Sequence, residues 1–336
     1  MADQTRSKFE FGTLLRRPEF GALIGTIVVF VFFSIAGGEP FSAMGGWAAW
    51  LNVASELGII VLPVALIMIA GDLDLSVGST IAAGGVTMAV ISGFFDVPTP
   101  IGVVAGLGFG ALIGFINGII IVRTNLPSFV VTLATQFAVF GLVLGLCKLI
   151  TGTVAVNVKA DAGVKAIFGT LLFGNFETAI VIWAVLAAIV AWILVKTKYG
   201  NWIYAIGGDM VSAKATGIPV NKVRVWLFVG SGTASALVGV IQASLYDSAQ
   251  VSGGASFVFN SIIAVVVGGV LLTGGYGSVV GVILGTMTFA IVSQGIFFTG
   301  WDSDWASLIL GALLLVAVLT NNTFRRLAFS SGKKKG

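Results

Sequence analysis

The chain has 336 residues, of which 57% are hydrophobic and only 10% charged, with a mean hydropathy of +1.06 and a net charge of +4. A water-soluble domain carries roughly a quarter charged residues, so this composition excludes an ordinary soluble globule and points to a bilayer as second solvent. With no histidine and a single cysteine, Cys147, it also excludes an internal disulfide, histidine-based triads and His/Cys zinc sites. Cys147 itself lies in an apolar run and reads as a small packing residue.

A transmembrane helix needs about 20 mainly apolar residues. In chain order the segments that qualify, or nearly so, are 19–36, 57–70, 75–95, 100–122, 127–148, 178–196, 225–246, 258–273, 277–298 and 304–320. The expected fold is therefore all-α and polytopic, with about ten transmembrane helices. The first segment follows Arg16 and Arg17 and ends at Ser34-Ile35-Ala36, a pattern that a signal peptide shares. Its apolar run is long for a signal peptide, so it is read as a span. Segment 57–70 is too short to cross alone, so it extends back from Trp50 or belongs to a broken helix.

Ten spans place both termini on one side. That side holds Arg6, Lys8, Arg16, Arg17, Arg123, Lys196, Lys198, Lys214, Lys222, Arg224, Arg325, Arg326, Lys333, Lys334 and Lys335; the other holds only Lys148, Lys159 and Lys165. Positive residues are retained on the cytoplasmic side, so both termini are expected there. Residues 1–18 and 324–336 then read as basic cytoplasmic tails around one membrane domain, 19–323. Residues 37–56 read as an outer connection carrying Glu39 and Glu56, 149–177 as the longest outer loop and 197–223 as the longest inner loop. No loop is large enough for a catalytic domain.

Gly106, Gly110, Gly114 and Gly118 recur every four residues, as do Gly277, Gly281 and Gly285, and such ridges let helix backbones meet closely in lipid. The Gly106–Gly110 run lies inside a span, so it reads as packing and not as a nucleotide loop; no GxxxxGK[ST] loop occurs anywhere.

Three polar interruptions stand out. In Gly71-Asp72-Leu73-Asp74-Leu75-Ser76-Val77-Gly78-Ser79, an ionised carboxylate at mid-membrane would cost about 2.5–3.5 kcal/mol. The two aspartates must lie near an interface, face a wet cavity or cap helices, and Asp74 and Ser76 are placed to cap the helix that follows. A plain capped turn and a proton relay both fit. In the inner loop, Asp209 can cap a short helix over roughly 210–216 that Gly217 and Pro219 end. Such a helix suits either docking to a soluble partner or resting on the lipid surface. Gly268-Gly269 through Gly274-Gly275-Tyr276-Gly277-Ser278 is a glycine-rich turn that either packs tightly or lines a cavity.

Four segments, in order over roughly 55–320, resemble the permease subunits of the ribose/xylose/galactose class of ABC importers. They are Asp74-Leu75-Ser76-Val77-Gly78-Ser79; Leu126-Pro127-Ser128-Phe129 through Thr132 to Thr135; Tyr199-Gly200 through Gly207-Gly208 to Gly217-Ile218; and Ile262 through Gly269 with Gly274-Gly275-Tyr276-Gly277-Ser278. The resemblance implies a pore of two permease subunits, expected as a homodimer, in a bacterial inner membrane. It also implies a cytoplasmic ATP-binding partner, an external solute-binding protein and a sugar substrate. The chain is then a transport subunit and no enzyme, with no cofactor and no nucleic-acid partner.

The resemblance assigns ATPase coupling to Asp209, Ala213, Lys214, Gly217 and Ile218. It assigns the translocation path or helix breaks to Asp74, Ser76, Gly78, Ser79, Pro127, Thr132, Asn260, Gly268, Gly269, Gly274 and Gly275. The chain departs from the pattern at Asp72, where glycine is usual, at Met210, where glutamate is frequent, and at Val258 and Asn260, where Glu and Asp are common. Competing readings are an ABC permease for nucleosides or another small polar solute, an ion-coupled carrier using Asp72 and Asp74, and a passive channel.

Overall fold

The structure is a computed structural model that describes residues 18–302, 304, 305, 307–309, 311, 312 and 315. The expected tails, apart from Pro18, and most of the expected span 304–320 lie outside the described residues. The chain is mostly helical: α1 Pro18–Ala36, α2 Gly38–Ser42, α3 Met44–Ile69, α4 Val77–Ala89 running on into a π-turn over Val90–Phe94, α5 Thr99–Thr124 and α6 Ser128–Thr151. After these come β1 Ala155–Asn157, α7 Ala162–Phe168, β2 Leu171–Leu172, β3 Phe176–Glu177, α8 Ala179–Lys196, α9 Lys198–Gly208, α10 Met210–Ala215, α11 Val220–Leu245, β4 Ser248–Gln250, α12 Phe257–Val267 and α13 Val279–Phe298.

Among the described residues, eight helices are long and apolar enough to cross a membrane: α1, α3, α4 with its π-turn, α5, α6, α8, α11 and α13. Two expectations change. Segment 57–70 is the second half of a 26-residue helix, about 39 Å long, that starts at Met44. Residues 37–56 are accordingly helix and not loop, and Glu56 lies buried inside α3. Segment 258–273 is helical only as the 11-residue α12, because Gly268 and Gly269 end it before it reaches spanning length.

The segment 149–177, read as a loop, is partly ordered. β1 pairs antiparallel with β4, matching Val156 to Ala249, and β2 pairs with β3. These pairings fold 149–177 back over the end of α11.

From Leu57 onward α3 is apolar on every side, with Ile59, Ile60, Val61, Val64, Ile67 and Ile69 fully buried, which makes it the axis of the bundle. Helix α13 packs against α1 and α3, and α11 packs along α4 and α5. The glycine ridge of α5 makes the second contact possible. Gly106 serves the α4–α5 contact, a Cβ there standing 2.6 Å from the Gly84 carbonyl, whereas a Cβ on Gly118 would stand 2.8 Å from the Val225 Cα of α11. Gly110 and Gly114 meet the Gly232 and Phe228 carbonyls in the same way. Gly281 and Gly285 play this part against α12, whereas Gly277 precedes α13 and packs on Val270 and Ile69.

We expect Gly84→Val, whose new side chain would strike Ala236 at 2.6 Å, to destabilise the fold by at least the ~1–3 kcal/mol typical of overpacking. Gly108→Val, which meets nothing within 4 Å, should leave thermal unfolding in detergent unchanged.

Two helix breaks, a short capped helix and a polar stripe

The first break joins α3 to α4. Gly71, at φ +88, takes the left-handed turn that ends α3, and residues 72–76 then run on without forming a helix until Val77. Asp72, Asp74 and Ser76 are nearly fully buried, so the free backbone groups here must find partners within the protein. Helix α6 supplies them from one face. The Leu73 N–H donates to Ser128 Oγ at 2.9 Å, the Leu75 N–H to Thr132 Oγ1 at 3.1 Å, and the Ser79 N–H to Gln136 Oε1 at 2.8 Å. Ser128, Thr132 and Gln136 recur every four residues, which is what aligns them.

The aspartates do not have the roles that spacing alone suggested. Asp74 does not cap α4; its Oδ1 accepts from the Ser76 N–H at 2.9 Å and the Ser76 hydroxyl at 2.6 Å, folding the break onto itself. Ser76 is the residue before α4 but makes no side-chain cap; its hydroxyl instead accepts from Asn117 Nδ2 at 2.9 Å, while Thr135 donates to Asn117 Oδ1 at 2.6 Å. The free amino end of α4 is served by Gln136 instead. Asp72 forms a two-pronged ion pair with Arg224 at the start of α11, Nε to Oδ2 at 2.7 Å and Nη2 to Oδ1 at 2.8 Å, with both residues buried. Arg224, counted among the loop charges, is thus a buried partner, and Asp72 is not a free proton carrier.

The second break, between α12 and α13, abuts the first. Gly269, Gly274 and Gly275 all have positive φ, and the Gly275 N–H donates to the Ile69 carbonyl at 2.8 Å. A Cβ on Gly274 would lie 2.9 Å from the Gly71 Cα. A third segment meets both: Gly207, at the end of α9, packs on the Ile69 carbonyl and Gly275, and the Tyr204 hydroxyl donates to the Gly277 carbonyl at 2.7 Å.

Beyond Gly207 lies the short helix α10. Asp209 caps it, accepting from the Val211 and Ser212 N–H groups at 2.9 and 3.2 Å, and bonds from Ser212 first and Val211 second hold its carboxyl below the usual range. The cap is therefore formed at neutral pH and lost only in acid. Ala213 is buried, Lys214 and Gly217 are exposed, and the Ile218 N–H closes the turn onto the Ala213 carbonyl at 3.2 Å. Val211 is exposed, and the Met210 sulfur lies 3.9 Å from Arg224 Nη1.

Not every candidate gathers here. Pro127 is exposed and serves to start α6. Gly78 admits the Gly254 carbonyl and Val258, each 2.7 Å from where its Cβ would stand, so the apolar residue at 258 packs. Asn260 makes no side-chain hydrogen bond to either break.

Four polar residues of α11 that spacing alone had not singled out as a set share one face. Arg224, Ser231, Ser235 and Gln242 lie within about 20° of a single line at 3.6 residues per turn, over about 27 Å. Arg224 meets Asp72, and Ser231 sits beside the Asp74 carboxyl without hydrogen-bond geometry. Ser235 is buried without a hydrogen-bond partner among the described residues, and Gln242 Nε2 donates to Glu56 Oε2 at 2.7 Å. Near Gln242 lies Glu177, whose carboxyl is raised to about 7 by burial and by the Glu56 charge. Burial and the Glu56 and Glu177 carboxylates push the Tyr246 phenol up to about 12, so it stays protonated.

Arg224→Leu should cost the ~3–5 kcal/mol expected when one charge of a buried pair is stranded, and the double variant Asp72→Leu with Arg224→Leu should recover most of it in thermal unfolding. Glu177 is a raised acid, so its folded form binds a proton that the unfolded chain releases between pH 4.5 and about 7, and stability falls as pH rises through that window. Glu177→Gln should match the parent protein below pH 5 and unfold at a higher temperature than it above pH 7.

The family model described as branched-chain amino acid transport system / permease component matches residues 46–318. The chain is 30% identical over 312 residues to a fructose import permease of Rhizobium meliloti, covering 91% of this chain and 85% of that one. It is 30% identical to a ribose import permease of Haemophilus influenzae, covering 96% and 98%, and 27% identical to a xylose transport system permease of the same organism, covering 88% and 94%. No solved structure matches the chain. Full-length agreement with these permeases, together with a helical membrane body broken at two adjoining turns, places the chain in the branched-chain amino acid transport system / permease component family.

Proposed function

We propose that the chain is the transmembrane subunit of an ATP-driven importer for a neutral monosaccharide. The observation that carries this reading is the junction at which the α9–α10 segment touches both helix breaks. An exposed, capped helix presents Val211 and Lys214 outward, while its inner side reaches Gly71 and Gly275 through Gly207 and reaches Asp72 through Met210 and Arg224. A force applied to α10 by a soluble partner has a short, packed route to the ends of α3, α4, α12 and α13. The relatives, which are import permeases for fructose, ribose and xylose, support the cargo class.

In this reading the α9–α10 face and both termini are cytoplasmic, in agreement with the 15 to 3 division of Lys and Arg by the expected topology. Two copies form the pore, an ATP-binding subunit docks on α10, and an external binding protein delivers the sugar at the face carrying β1 to β3. Asp209, Ala213, Lys214, Gly217 and Ile218 build the docking element, and the two breaks are where α3, α4, α12 and α13 change their packing during transport. Asp72 is held by Arg224, which removes one of the two carboxylates that an ion-coupled mechanism would use.

Mild-detergent purification from native membranes tests this. An ATPase should be retained by the parent protein, and Val211→Glu, which leaves the Asp209 cap and the buried Ala213 intact, should lower its recovery about tenfold or more. A partner-free preparation that concentrates sugar against a gradient would overturn the reading.

A further inference from the structure

A cavity of about 260 Å³ lies between α4, α11 and β4. Its polar lining is Gln242, Tyr246, Ser248 and Gln250, and its apolar lining includes Gly85 and Gly239. The two glycines keep it open from below: a Cβ on Gly85 would stand 2.8 Å from the Gly239 carbonyl, so the helix backbones touch and leave no side chain to fill the space above. Pockets for drug-sized ligands run about 300–1,000 Å³, so this one suits a smaller solute.

Gln242 is not free to turn. Its amide nitrogen donates to Glu56 Oε2 at 2.7 Å on the α3 side, which directs the carbonyl oxygen the other way. That oxygen lies 3.8 Å from where a Cβ on Gly253 would stand, and Gly253 is part of the cavity wall. The cavity is thus offered a fixed hydrogen-bond acceptor, with the protonated Tyr246 phenol beside it. The Glu56 carboxylate that aims Gln242 is itself outside the cavity wall. The chemistry that fits is a small solute rich in hydroxyl groups. An anion would be opposed by the Gln242 carbonyl oxygen, and a bare cation is far smaller than the space.

We propose that this cavity is a binding subsite for a neutral polyhydroxylated solute, in which Gln242, aimed by Glu56, accepts a hydroxyl. It rests on the importer reading and adds to it that the membrane subunit itself recognises its cargo.

The test is saturation-transfer NMR on the purified full-length protein with ribose, xylose, fructose and galactose at millimolar concentration, run alongside uptake by the assembled transporter in proteoliposomes. At least one sugar should give a signal with the parent protein. Gln242→Leu should reduce it about fivefold or more, and so should Gly253→Val, whose side chain would enter the cavity beside the Gln242 carbonyl oxygen while the Gln242 amide stays bonded to Glu56. A thermal melt of each variant identifies any that fails to fold. Uptake of one of these sugars with no NMR signal, or with signals unchanged in both variants, would overturn the subsite and leave the importer reading standing. If the assembled transporter imports none of the four and the parent protein gives no signal, both fall together.

Discussion

The organisation of this protein depends on one constraint: residues 70–76 leave the helical conformation, and with Asp72, Asp74 and Ser76 buried the backbone groups there must find partners within the protein. Every unusual feature nearby answers that need. Ser128, Thr132 and Gln136 present acceptors along one face of α6, Asp74 closes a turn on Ser76, and Asn117 and Thr135 extend the network to α5 and α6. A break satisfied this way by side chains from neighbouring helices can exchange partners when those helices shift, which a continuous helix cannot do without losing its own ladder.

The ion pair between Asp72 and Arg224 adds a second constraint. Two buried charges are stable only together, so α11 cannot move along its axis without carrying the end of α3. The same helix continues through Ser231 and Ser235 to Gln242, and so joins the break at one end to Glu56 and the cavity at the other. The polar stripe, about 27 Å long, nearly matches the hydrocarbon thickness of about 30 Å. Gly232 and Gly239 of the same helix let it lie closely against α5 and α4.

Membrane helices gain little from apolar burial against one another, because lipid is as apolar as leucine. Contact must therefore come from close backbone approach and a few polar bonds, and both are concentrated here in α4, α5 and α11. Helices α1, α6 and α8 carry the exposed apolar side chains, including Ile24, Val28, Phe137 and Trp192, that suit them to the lipid side.

What the sequence determined by itself was the solvent and the punctuation. Overall apolarity demanded a bilayer, and the glycine-flanked polar runs at 71–79, 197–223 and 268–278 marked where helices stop, because glycine and aspartate tolerate backbone that apolar residues do not. The cap at Asp209 was legible because capping is local: donor and acceptor lie within three residues. What only the tertiary structure decided was every partnership across helices. Sequence spacing gave Asp74 and Ser76 to the following helix, whereas packing gave that helix end to Gln136 and turned Asp74 onto Ser76. Arg224 read as one more loop charge until folding placed it against Asp72, 152 positions away. Glu56 read as a loop residue, although the run from Met44 is helical, because charge is a poor guide to burial once a distant Gln242 can meet it. The 3.6-residue recurrence of Arg224, Ser231, Ser235 and Gln242 was present in the chain all along. A polar stripe gains meaning only when the neighbouring helix that it faces is known.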